Sequence, residues 1–277
     1  MAEANDPQAD VAIGMDEGQW SLLNAKGLIA EWEPSWKDDL QQDLITGDGY
    51  YYPWAEQRIL AYYNPETLDA EQAPKTLEEM GTREDLQGKY LVPGDFGGST
   101  NQKIVFSILL QHLDENGEYG VSDEGWQAVE AFLHNGHKLG ENEDKHALFV
   151  DGVVDISYHF SGGIPNAEKS YGFTVVPINP EYGVFTMSEQ VGLIKKGDDH
   201  DYTKAQEFAE WWGSEEIQRA WVEAFGTVPA NTKVQDAVDP RIQELFEATD
   251  RMDVDWDVYN EYLSDWVEKI ELELMPL

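Results

Sequence analysis

The chain has 277 residues, of which 55 are aspartate or glutamate and 18 are lysine or arginine, and its net charge at pH 7 is -37. Charge of this sign repels nucleic-acid phosphates and anionic membranes, so neither is an expected partner. The absence of cysteine excludes disulfides, thiolate metal sites and cysteine nucleophiles. No run of about 18 apolar residues is present, so direct membrane insertion is not expected either.

The acidic residues are spread along the whole chain rather than gathered in a tail. The sequence also has 10 Trp, 13 Tyr and 10 Phe, which favours a well-packed core over disorder. A folded domain this acidic is typical of salt-adapted organisms, in which high salt screens the repulsion between carboxylates. We therefore expect a halophilic, acidic protein that is long enough for two lobes.

Apolar runs that predict strands alternate with amphipathic stretches that predict helices. In chain order, the sequence predicts a buried parallel strand at 9–14, a helix at 19–26, an aromatic and turn-rich stretch at 31–54, a strand at 58–65, a helix at 76–80, a strand at 90–93, a loop of small residues at 95–101 that opens a helix to about 113, helices at 122–135 and 144–150, and strands at 153–158, 172–177 and 189–194. From 202 onward the chain is predicted to be nearly all helix. This alternation indicates an α/β sheet rather than a sandwich.

The strand at 189–194 opens the most informative part of the sequence. Two lysines close the strand, and a helix that ends in a Trp-Trp pair follows after a short polar gap. A Ser-Glu helix start at 214–215 and a Gly-x-x-Pro turn at 226–229 complete the segment. This order resembles the closing third of extracellular solute-binding proteins, which are the receptors of ABC importers.

Three further stretches, at 9–16, 53–65 and 152–158, extend the resemblance over nearly the whole chain. Together the segments resemble a type II periplasmic binding protein of the thiamine-, ferric-iron- and polyamine-binding group. The resemblance implies a two-lobed α/β fold with two crossover strands, near 58–63 and 189–194. Receptors of this kind close their lobes on a small-molecule ligand, and they need neither a cofactor nor catalytic residues.

The resemblance also implies how the chain is divided. The first lobe is expected to comprise 1–58 and 190–277, and the second lobe 59–189. Family receptors carry a strand, a helix and a second strand before the segment that corresponds to 9–11. We therefore expect an N-terminally shortened chain whose first lobe lacks this initial β-α-β unit, and from which the signal segment is missing as well. An ABC permease and ATPase are the implied partners, and the implied location is extracellular, at the cell surface or periplasmic.

Tyr158 is the first candidate for ligand contact, because the thiamine-binding relatives have a tyrosine that lines the cleft at this point. The ferric-binding relatives place two consecutive tyrosines here as phenolate ligands, whereas this chain has Tyr158 followed by His159. A bis-tyrosinate iron site is therefore not expected. His159 is either a ligand-binding residue or a polar residue at the end of a strand.

Two further groups of candidates follow from chemistry and position. Ser99 and Thr100 open a helix, where hydroxyls and free N–H groups hold an anionic or phosphate-bearing group, unless they simply cap the helix. Aromatic rings just before the 58–65 strand stack on a flat or cationic ligand, unless they pack in the core. Carboxylates after the first strand and at the head of the 189–194 strand pair with a cation, unless they are solvated. These aromatic and acidic candidates are Tyr51, Trp54, Asp16, Glu17 and Glu189.

The predicted function is a receptor for thiamine or a related organic cation. Ferric iron and polyamines, the ligands of other receptors in the group, remain as alternatives. Thr227 and Val228 stand where thiamine receptors carry an aromatic residue, which keeps these alternatives open. A second alternative is an α/β hydrolase, although Gly-x-Ser-x-Gly and His-Glu-x-x-His motifs are both absent.

Overall fold

The structure, a computed structural model, describes residues 7–47, 49–140 and 142–275. The chain forms two compact units. Unit 1 consists of Met1–Gln57 and Met187–Ile242, and unit 2 consists of Arg58–Thr186 and Gln243–Leu277. The sequence had placed everything after residue 190 in the first lobe, whereas the structure places Gln243–Leu277 in unit 2.

Strands and helices alternate through both units. The strands are β1 Val11–Gly14, β2 Ile29–Ala30, β3 Tyr51–Tyr63, β4 Leu91–Val92, β5 Leu113–Glu118, β6 His137–Lys138, β7 Ile156–Phe160, β8 Val176–Pro177, β9 Thr186–Ile194 and β10 Val228–Pro229. The helices are α1 Glu17–Ala25, α2 Leu77–Thr82, α3 Ser99–Leu109, α4 Asp123–Asn135, α5 Lys145–Val150, α6 Ile164–Tyr171, α7 Thr203–Trp212, α8 Glu215–Phe225, α9 Pro240–Glu247 and α10 Trp256–Lys269. Short 3₁₀ and π turns lie between some of them.

Unit 1 is built on antiparallel pairs. β1 and β2 both pair with β9, and β10 pairs with the first half of β3. The prediction that 9–14 forms a parallel strand is therefore wrong: Val11 lies opposite Leu193, on a strand that runs the other way. A short buried run has the same appearance in both kinds of sheet, so the pattern alone did not decide the direction.

The core of unit 1 is aromatic. Trp32, Trp36, Tyr52 and Trp54 are almost completely buried, and Val191 of β9 belongs to the same cluster. The sequence had treated 31–54 as a turn-rich stretch before the strand. In the structure β3 already begins at Tyr51, since alternating aromatic side chains suit a strand that is buried along its length.

Unit 2 contains the second half of β3, which pairs with β7 and β8. α3 lies in its core, and the ring of Phe106 packs 6.0 Å from that of Tyr259 and 5.4 Å from that of Trp266, measured between ring centroids. Trp266 is fully buried, and its indole N–H donates to the Tyr119 carbonyl at 2.9 Å. These contacts explain why α10 belongs to unit 2.

The balance of charges gives an expectation for stability. With 55 acidic and 18 basic side chains, most carboxylates have no basic partner within the chain, so their repulsion must be relieved by salt. We expect the melting temperature to rise by roughly 10 °C or more between dilute and molar KCl. A thermal melt series in KCl, with equal steps of sucrose as the uncharged control, measures this. A melting temperature that KCl leaves unchanged would contradict the halophilic interpretation.

Candidate functional site

Asp16 and Glu17 lie at the start of α1 in unit 1. Asp16 is the N-cap of this helix: its carboxylate accepts the Gln19 N–H at 3.1 Å, and the Gln19 side chain accepts the Asp16 N–H at 3.3 Å. Asp16 is also buried, with 2% of its surface exposed. Its carboxylate therefore has a structural task, which does not require a ligand.

Glu17 is held differently, by β9. One carboxylate oxygen accepts the backbone N–H of Ser188 at 2.8 Å and also the Ser188 hydroxyl. Gln190 in turn donates its amide N–H to the same hydroxyl at 2.7 Å. The second carboxylate oxygen, Oε2, is buried and has no hydrogen-bond partner among the described residues.

This environment changes the acidity of Glu17. Burial raises its pKa to about 7, although the two bonds from Ser188 act in the opposite direction. Burial also raises the pKa of Glu189, the residue that follows Ser188 on β9. Both carboxyl groups are thus less stable as anions than in water, and a cation at Glu17 Oε2 would compensate for that cost.

Tyr51 and Trp54 lie in the interior of unit 1. Tyr51 stacks on Trp20 with ring centroids 5.5 Å apart, and Trp54 contacts Trp212 and Trp221 edge-to-face at 5.2 and 5.1 Å. Tyr51 and Trp54 are only 3% and 2% exposed. The packing alternative that the sequence left open describes these two rings, and we do not carry them into the proposed site.

Tyr158 lines an open groove of about 680 Å³ in unit 2. Its hydroxyl donates to the side-chain oxygen of Asn101 at 2.8 Å, and burial raises its pKa, so the phenol stays protonated. Asp95, Glu143 and Lys145 line the same groove. The groove therefore offers one aromatic ring together with charges of both signs.

Lys145 is the groove residue that the sequence reasoning missed. Its ammonium lies 3.4 Å from the Tyr158 carbonyl oxygen and 5.8 Å from the centroid of the Tyr158 ring. Burial lowers the pKa of Lys145 to about 8. A lysine at the first position of a helix opposes the helix dipole, and this local conflict at the start of α5 was the available signal.

Ser99 and Thr100 lie in the first turn of α3, next to Asn101. The N-cap position belongs to Gly98, which has no side-chain capping bond, so the alternative of N-capping by Ser99 or Thr100 is wrong. The hydroxyl of Ser99 instead accepts a hydrogen bond from Lys103 at 2.9 Å. Neither residue is part of the groove lining, although the uncapped helix start lies directly before Asn101.

His159 follows Tyr158 on β7, and neighbouring residues of a strand point to opposite faces. Its ring stacks on His146 at 5.6 Å, and its Nδ1 accepts the Phe160 N–H at 2.9 Å. Burial lowers its pKa to about 3, so this ring is neutral. Tyr158 and His159 therefore do not face one common metal site, and in residues 7–47, 49–140 and 142–275 no three His, Asp or Glu side chains form a metal-binding group.

A family model described as bacterial extracellular solute-binding protein matches residues 1–248. A probable ABC transporter periplasmic-binding protein from Sinorhizobium fredii, y4fP, is 32% identical over 275 residues, which are 99% of this chain and 75% of that protein. The chain belongs to the bacterial extracellular solute-binding proteins. The resemblance inferred from the sequence is thereby confirmed.

Solved structures of this solute-binding protein's relatives agree on the fold. An IdiA (FutA) from Trichodesmium in complex with iron and citrate matches with a TM-score of 0.71 and 16% identity over 98% of this chain and 84% of that one. Iron-bound HitA from Pseudomonas aeruginosa matches with a TM-score of 0.71 and 17% identity, over 99% and 85%. The predicted α/β periplasmic-binding-protein fold is confirmed.

Membership of the family also fixes the class of function. The solute-binding protein is a receptor rather than an enzyme, and the hydrolase alternative is set aside. Its partners are a small-molecule ligand and the permease and ATPase of an ABC transporter, and its family is extracellular. The helices of the described residues are too short or too polar to cross a bilayer.

Proposed function

We propose that this receptor captures thiamine or a related organic cation for import. The observation that carries the proposal is Glu17, whose second carboxylate oxygen is buried without a partner among the described residues. A buried carboxylate of this kind is stabilised when a positive charge reaches it. Thiamine and its relatives supply such a charge on a flat ring.

A second candidate rests on the groove of unit 2. Lys145 has one long hydrogen bond to a backbone carbonyl, and the neighbouring start of α3 has no side-chain cap. Ammonium groups and free N–H groups at a helix start favour an acidic group on the ligand. These features favour a phosphorylated cation, such as thiamine phosphate, over the free cation.

The test is calorimetry in molar KCl with thiamine, its phosphates, spermidine and ferric citrate. Ferric citrate belongs in the series because two structures with this fold contain iron, although their identity of 16–17% brings only the fold to this chain. Binding of thiamine or its phosphates supports the proposal. Heat with ferric citrate alone would replace the organic cation by iron.

Tyr158 gives a prediction for the groove. Changing Tyr158 to alanine removes the ring and its bond to Asn101, and we expect the affinity for the cation to fall by about 1–3 kcal/mol. Tyr158→Phe keeps the ring and should lose less. Tyr182→Phe removes a bond to Glu78 elsewhere in unit 2 and serves as the control for a lost hydroxyl. Equal affinities for Tyr158→Ala and the wild type would remove Tyr158 from the site.

A further inference from the structure

Unit 1 carries a row of aromatic side chains on its surface, which we call the aromatic patch. It consists of Phe208, Trp211 and Trp212 on α7 and Trp221 and Phe225 on α8. The rings touch in sequence: Phe208–Trp211 at 5.6 Å, Phe208–Trp212 at 6.5 Å, Trp212–Trp221 at 5.1 Å and Trp221–Phe225 at 4.4 Å. The three outer rings, Phe208, Trp211 and Phe225, are 42%, 50% and 54% exposed.

The patch is fixed in place from below. Trp212 and Trp221 both pack edge-to-face against Trp54, which belongs to the core of unit 1. Rings held in this way lose little conformational freedom when a partner covers them, which is the condition under which tryptophan contributes most to an interface. Exposed tryptophan on a strongly hydrated, acidic surface is therefore unlike an isolated apolar residue.

The charge around the patch selects the partner. α7 and α8 together contain five glutamates, one lysine and one arginine, and the arginine, Arg219, is already paired with Asp236 at 2.9 Å. Glu207 and Glu223 are exposed next to patch residues in the sequence. Carboxylates beside open π faces attract guanidinium and ammonium groups, through ion pairs and cation–π contacts together.

We infer that the aromatic patch is a docking site for a basic, amphipathic segment of a partner protein. Apolar side chains of the segment cover the outer rings, and arginine or lysine side chains lie over the ring faces and reach the glutamates at the edge. The inference does not depend on the ligand proposed above, because it rests on α7 and α8 rather than on Glu17 or Tyr158.

The test uses two synthetic helical peptides of leucine with either arginine or glutamate, titrated in molar KCl to suppress general attraction to the acidic chain. Binding is followed by tryptophan fluorescence, to which Trp211 contributes, and by calorimetry. The patch variant is Trp211→Ser combined with Phe225→Ser. The control is Leu272→Ser, which removes an isolated apolar side chain that is 75% exposed.

We expect the arginine peptide to bind the wild type and Leu272→Ser at least about tenfold more tightly than the patch variant. The glutamate peptide should bind none of them measurably. Equal binding of the arginine peptide to all three proteins, or no binding to any, overturns the inference, as does equal binding of both peptides. A wild type that sediments as a dimer, with a monomeric patch variant, replaces the basic partner by a second copy. Unchanged melting and cation binding of the patch variant show that neither fold nor ligand site was disturbed.

Discussion

Replacing Glu17 with glutamine is expected to make the protein more stable above pH 7. The pKa of Glu17 is raised from an ordinary value of 4.5 to about 7. Between these values the folded state binds more protons than the unfolded state, so the free energy of unfolding falls as the pH rises. Glutamine keeps the two bonds from Ser188 without the charge. We therefore expect a gain of about 1–3 kcal/mol at pH 8 and none at pH 4.

Urea unfolding at both pH values measures this difference. Glu130→Gln is the matched control, because it removes an exposed carboxylate from α4 and should change the free energy of unfolding similarly and only slightly at both pH values. A Glu17 variant that behaves like this control would mean that the carboxyl group is not buried as the structure has it.

The same substitution should weaken binding of the cation by tenfold or more, since the charge that compensates it is gone. A cation that stabilises the ionised form also lowers the pKa of Glu17, so the wild type should release up to one proton on binding at pH 6 and almost none at pH 8.5. Calorimetry in two buffers of different ionisation enthalpy counts this proton. Proton release that persists in the Glu17→Gln variant would assign the cation to another group.

Arg58→Ala is expected to cause the largest loss of stability. Arg58 is buried in unit 2, where its guanidinium donates to the Phe246 carbonyl at 2.8 Å, to the Thr249 hydroxyl at 2.9 Å and to the Thr249 carbonyl. It also lies 4.3 Å above the Phe246 ring. Alanine would leave these buried acceptors without a donor and open a cavity, at a cost of about 2–4 kcal/mol.

A control of equal charge separates this effect from electrostatics. Arg219→Ala removes the same positive charge from an exposed pair with Asp236, and its cost should stay below about 1 kcal/mol. Arg58→Lys keeps the charge but lacks the planar fork, so only part of the stability should return. Urea midpoints that are equal for Arg58→Ala and Arg219→Ala would show that the carbonyl contacts contribute nothing.

The sequence predicted the elements whose signals are local. Ser122 and Asp144 cap α4 and α5, where helices were expected to start, because a capping side chain bonds within its own turn. Thr76 likewise caps α2, although Glu79 bonds to the Lys75 N–H rather than completing the expected box. The order of such elements was enough to predict the family.

The candidate site depended on contacts that the sequence does not display. Glu17 acquires its raised pKa beside Ser188, 171 residues further along the chain, and a solvated carboxylate has the same appearance in the sequence. Tyr51 and Trp54 were candidates because their rings suit a flat cation, but the same rings suit a core equally well. Whether such a ring is accessible depends on the residues that cover it.

The division of the chain between the units has a consequence for how the protein reaches its native state. Unit 1 needs Met187–Ile242 to complete the strand pairs of β1 and β3, and unit 2 needs Gln243–Leu277 to cover α3. Neither unit is a continuous stretch, so during synthesis neither can finish folding until almost the whole chain has emerged. Until then the apolar side chains of β3 stay uncovered, and the dispersed negative charge is what keeps such chains from associating with one another.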